Sequence, residues 1–147
     1  MTGAPVIKFD ADGPTHRKNC VLLCCDTNYE KFAFSLIKQI VETYPDLDVD
    51  ICLVAEHQIE PPPSLRSLPI RIGRMNLEKP DIKFPTNQHV NFSCYLRLFV
   101  VTELADRYER ILYLDSDMYL AGGDLPRISD IALLPGHAVG AIRERPQ

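Results

Sequence analysis

Asp115 and Asp117 flank Ser116 directly after the apolar run Ile111-Leu112-Tyr113-Leu114. Two carboxylates this close offer hard oxygen ligands of the kind that Mg²⁺ or Mn²⁺ takes together with substrate phosphates. Such an ion bridges phosphates and neutralises charge on a departing diphosphate. The spacing alone says little, because Asp-x-Asp occurs four times in the chain. Asp10-Ala11-Asp12, Asp46-Leu47-Asp48 and Asp48-Val49-Asp50 lie near the start or ahead of a strand, and only Asp115-Ser116-Asp117 closes a strong apolar strand. The plain alternative is a surface turn with solvated aspartates.

Arg97 adds weight to the chemical reading. It stands in the apolar run Tyr95-Leu96-Arg97-Leu98-Phe99-Val100-Val101. A charge there needs a partner or a route to water. Either it snorkels outward, or its guanidinium lies among the site carboxylates. Asp26 and Asn28 close another apolar run, Cys20–Cys25, where they serve as turn and cap residues or read a base edge. His16, His57, His89 and His137 have no metal-ligand spacing, and no Ser-His-Asp arrangement or glycine-rich phosphate loop stands out. Gly122-Gly123 reads as a turn.

The elements that must position these groups follow from the apolar periodicity. Cys20–Cys25 reads as a buried strand. Phe32, Leu36, Ile37, Ile40, Val41 and Tyr44 recur at helical spacing until Pro45 stops the helix. Val49–Ala55 is the next strand, completing a βαβ unit. A short helix is expected around Ser64–Ser67 and a short strand at Ile70–Ile72. The proline-punctuated stretch Gly73–Val90 has no clear assignment. Asn91 can cap a helix running to about Ala105, apolar enough to be buried all round. The strand Ile111–Leu114 follows, then a helix capped by Asp124 with Pro126 in its first turn, ending near Leu133. Ala138–Ile142 reads as a last strand. This alternation predicts an α/β fold, a mostly parallel sheet with helices on both faces. Such sheets bind ligands beyond the carboxyl ends of their strands, which selects the turns after Cys25 and Leu114.

The 147 residues suit one domain, with 46% apolar and 24% charged residues. A net charge of −4 speaks against nucleic acid as a partner. The five cysteines are odd in number and lack CxxC spacing, so they read as buried thiols in a reducing compartment rather than a zinc site. The polar first twenty residues lack a signal-peptide core, and no apolar run approaches a membrane span, which leads us to expect a cytoplasmic protein. Residues 1–19 are expected to form a flexible tail.

The stretches Leu23-Cys24-Cys25-Asp26-Thr27-Asn28-Tyr29, Cys94-Tyr95-Leu96-Arg97-Leu98, Arg110 through Asp117, and Gly123-Asp124-Leu125 together resemble family 8 of the retaining glycosyltransferases, of the glycogenin and lipopolysaccharide galactosyltransferase type. Their order and rough spacing both match, from Cys20 to Ile142. The resemblance implies a GT-A type, Rossmann-like fold and transfer of a hexose from a UDP-sugar to an acceptor hydroxyl, with retention and with Mn²⁺ (or Mg²⁺). It implies that Asp117 and Asp115 hold the metal and that Asp115 and Ser116 lie near the donor. It also places Asp26, Asn28 and Tyr29 at the nucleotide end, and makes Arg97 the residue that contacts the donor sugar and carries catalysis. The acceptor would be a glycan, a lipid-linked species or a protein. Family members run longer, and a later histidine near a Gly and a Lys-Pro-Trp completes their metal site. This sequence has no tryptophan. The expectation is therefore a donor-binding part, residues 20–147, with a face open to self-association where a further part would pack.

Three other readings compete. One is a module that binds nucleotide-sugar without turnover. Another is an aspartate-nucleophile phosphatase, disfavoured because Tyr119 stands where that pattern has Thr or Val and because the motif comes late in the chain. The last is a domain with no ligand.

Overall fold

The computed structural model describes residues 6–9, 17–68, 70–76, 85 and 93–141. Five strands form one sheet in the order β1-β4-β3-β2-β5. They are β1 (Val6–Phe9), β2 (Asn19–Cys24), β3 (Asp50–Ala55), β4 (Ile70–Asn76) and β5 (Arg110–Tyr113). β2 runs parallel to both β3 and β5, β3 is parallel to β4, and only β1 is antiparallel, against β4. The helices are α1 (Glu30–Thr43), α2 (Ser93–Leu104) and α3 (Leu125–Asp130), with a 3-10 turn at Pro63–Leu65.

Period-two alternation splits the sheet into two faces. Val21 and Leu23 of β2 pack with Ile51 and Leu53 of β3 beneath the α1 residues Leu36 and Ile37. Cys20, Leu22 and Cys24 face the other way, with Cys52 and Val54, toward Leu96, Val100 and Leu104 of α2. β2 and β3 are buried on both faces, which is why they read as continuous apolar runs. The expected mostly parallel sheet with helices on both faces is therefore present.

Several local expectations are corrected. Val6–Phe9 lies inside the segment expected to be a tail, yet it forms the edge strand β1. Its apolar residues Ile7 and Phe9 are buried in the α2-side core. β4 runs to Asn76, past the expected Ile72. α2 is not buried all round, since Leu98 is 60% and Val101 38% exposed. On α1, Phe32 is likewise turned out to solvent. α3 stops at Asp130, short of Leu133. Ala138–Ala141 forms no strand, and Ile142 lies outside the described residues. The proposed cap Asn91 is also outside them.

Gly73 explains how β1 attaches. It stands opposite Phe9 in the antiparallel pair. A Cβ built on it would lie 2.9 Å from Phe9 Cε1 and 3.0 Å from Ile7 Cγ2. The absent side chain lets the Phe9 ring lie over the strand backbone. Gly73→Ala is expected to cost about 1–3 kcal/mol in urea unfolding through overpacking. The loss should shrink when Phe9 is also changed to Ala; an equal loss in both backgrounds would contradict this packing account.

Candidate functional site

The site lies at the carboxyl ends of β2 and β5, which are adjacent parallel strands. Ile111 and Tyr113 of β5 pack toward the α2-side core. Alternation therefore predicts that Asp115, two residues beyond Tyr113, faces α2 as well. There it meets Arg97, with Arg97 Nη1 3.4 Å from Asp115 Oδ1. Arg97 Nε donates to the Cys94 carbonyl at 2.9 Å, and its guanidinium lies 4.6 Å from the centre of the Tyr113 ring. The charge in an apolar run has thus found a carboxylate, a carbonyl and an aromatic face.

The Tyr113 hydroxyl donates to the same Asp115 Oδ1 at 2.9 Å. Burial above all, then the bond to Asp115, pushes the Tyr113 pKa up, so the hydroxyl keeps its proton and remains a donor. The Asp115 carbonyl accepts from Met118 N–H at 3.2 Å, so the segment is a turn. Asp117 lies in that turn, exposed. Ser116, expected near the donor, is only 7% exposed, so little of it is open to a ligand.

The chain then crosses from the α2 side of the sheet to the α1 side. Leu120 N–H donates to Gln39 Oε1 at 2.9 Å, and Tyr44 Oη donates to the Gly123 carbonyl at 3.0 Å. Both anchors come from α1 or its end, and Leu120 and Leu125 pack into the α1-side core. Gly122 and Gly123 turn with φ of 128° and 117°, a region that favours glycine. Asp124 caps α3 as expected, its side chain accepting from Arg127 N–H at 3.1 Å.

At the end of β2, Asp26 Oδ1 accepts from Asn28 N–H at 2.8 Å and from Tyr29 N–H at 3.0 Å. Asp26 therefore closes the turn before α1, while the residue that caps the helix is Tyr29, with no side-chain cap bond. Asn28 and Tyr29 are exposed, and the Tyr29 ring lies 5.9 Å from that of Phe32. Behind this turn, burial first and the adjacent Cys25 second push the Cys24 thiol up to about 12, with Arg97 acting in the opposite direction. Burial likewise raises Cys25 to about 12, with Glu30 and Asp26 adding to it. Neither thiol is a thiolate at neutral pH, so neither supplies a nucleophile here.

Sequence reasoning grouped Arg97 with Asp115 and missed Tyr113, Gln39 and the His57–Glu30 pair. That pair joins the residues after β3 to the first residue of α1, with Nε2 and Oε2 3.0 Å apart. Among the described residues, no group of three or more His, Cys, Asp or Glu gathers as a metal cage. Two hard carboxylates on one turn still suit Mg²⁺ or Mn²⁺, which complete their shells with waters and substrate phosphates.

The family model for glycosyl transferase family 8 matches residues 20–147. The chain belongs to that family. No curated protein and no solved structure matches it significantly. Family 8 membership makes the protein a glycosyltransferase, which takes a nucleotide-sugar donor and an acceptor, and it sets aside the phosphatase reading. The five-stranded, mostly parallel sheet agrees with a GT-A-like fold.

Proposed function

We propose that this family 8 glycosyltransferase moves a hexose from a UDP-sugar to an acceptor hydroxyl, with retention and with the help of Mn²⁺ or Mg²⁺. One observation carries the reading. A half-buried arginine on α2 is held against Asp115 at the end of β5, beside the exposed Asp117. Asp117 and Asp115 would hold the ion, which when bound supplies Lewis-acid charge for the departing diphosphate.

The protein's own groups do the rest. Arg97 fixes the Asp115 carboxylate and offers remaining N–H donors to the donor sugar. Its planar fork, resting on Tyr113, limits the orientations it can take. Asn28 and Tyr29 extend the site toward the nucleotide, with Asp26 holding their backbone in place. The acceptor is a glycan, a lipid-linked species or a protein, and the location is the cytoplasm, where the buried thiols Cys20, Cys24, Cys25 and Cys52 stay reduced.

Calorimetric titration of UDP and UDP-hexoses into the chain, with Mn²⁺ and then with chelator, tests the proposal. Binding that needs the ion, with release of UDP when an acceptor is present, is the expected result. Binding without any release would reduce the chain to a nucleotide-sugar-holding module. A folded chain that ignores UDP in both conditions would sink the donor-site assignment.

A further inference from the structure

Two hydrogen bonds from different elements end on one oxygen of Asp115. Tyr113 Oη donates at 2.9 Å from β5, and Arg97 Nη1 lies 3.4 Å away from α2. Among the described residues, Oδ2 of Asp115 receives no hydrogen bond. A carboxylate gripped at one oxygen has its rotation restricted and its other oxygen presented. Tyr113 itself is fixed, because its ring packs against the α2-side core on one side and carries the Arg97 guanidinium at 4.6 Å. Strand alternation aims the hydroxyl, since residues 113 and 115 share a face. The bond joins the last residue of β5 to the start of the turn that follows it.

We infer that Tyr113 is a positioning residue: its hydroxyl fixes the Asp115 carboxylate through Oδ1 and leaves Oδ2 for the cation that Asp115 would hold. The inference rests on the donor-site reading above. Groups that orient a ligating carboxylate in this way typically change metal affinity 10–100-fold when removed. Without the hydroxyl, Arg97 alone holds Oδ1 through a long contact, and the carboxylate gains rotational freedom.

The test is Tyr113→Phe, which keeps the ring beneath Arg97 and removes one oxygen. Binding of Mn²⁺ is read by electron paramagnetic resonance in the presence of UDP. UDP affinity in chelator and urea stability are measured on the same samples. The expected result is Mn²⁺ binding weakened about 10-fold, with the metal-free affinity for UDP unchanged. Equal Mn²⁺ affinity in the variant and the parent chain overturns the inference and leaves the donor site standing. So does a fall in stability without a metal-specific loss, which would mark the hydroxyl as structural only. If the parent chain itself binds no Mn²⁺ with UDP, the donor-site reading fails, and this assignment with it.

Discussion

Asp117→Asn is expected to remove metal-dependent UDP binding and to lower transfer by about 100-fold or more, the scale seen when a preorganised charge on a reacting centre is lost. Asparagine keeps the size and shape of the side chain and removes only the charge. Asp117 is exposed in the turn after β5 and makes no ion pair among the described residues, so unfolding in urea should be unaffected. With no ion pair among the described residues to lose, the effect should appear in the titration with Mn²⁺. Asp106→Asn serves as the control. It removes another exposed carboxylate, from the turn after α2, and should change neither UDP binding nor turnover. A drop of the same size for both variants would mean that net charge, rather than a placed ligand, governs binding.

The candidate site was partly legible because its signals are local or energetic. The apolar run into Asp115 marks a strand end, and a charge inside an apolar helix demands a partner. Arg97 has that partner in Asp115. Tyr113 was readable in principle from period-two spacing, but a tyrosine in a strand is ordinarily core. The His57–Glu30 pair and the anchor from Gln39 left no trace, since each joins residues brought together only by the sheet crossover. The same division holds for the fold. β2 and β3 are buried on both faces and so declare themselves as apolar runs. β4 alternates Ile70, Arg71, Ile72, Gly73, Arg74, so its start was readable, while Gly73 and the polar residues beyond it hid the extension to Asn76. Arg71 is nevertheless buried, 5.2 Å from the centre of the Phe9 ring, an interaction that exists only once β1 has paired. α2 misled in the opposite sense: its composition suggested burial on all sides, yet a helix on a sheet covers one face only.

The Asp48-Val49-Asp50 repeat shows how position on a strand decides what a carboxylate does. Asp50 opens β3 at the amino edge of the sheet, opposite the end where Asp115 and Asp117 lie. It is buried at 6% exposure, accepts from Tyr108 Oη at 2.7 Å, and lies 3.9 Å from Arg71 Nη1. Burial first, then bonds to Cys52 and Asp50, raises the Tyr108 pKa, so the phenol stays a donor. Asp50→Ala removes a buried carboxylate from both neighbours and is expected to cost about 3–5 kcal/mol, the range for breaking a buried pair. Asp50→Asn keeps an acceptor for Tyr108 and should cost less, about 1–3 kcal/mol. Folded domains have only about 5–15 kcal/mol in hand, so the alanine variant should unfold at much lower urea. Its folded fraction, held in the cold, should still bind UDP with Mn²⁺ as the parent does, because the perturbed edge is remote from the strand ends that form the site. A stable Asp50→Ala variant would show that the buried cluster is dispensable. A folded one that had lost UDP binding would show instead that the two edges of the sheet are coupled.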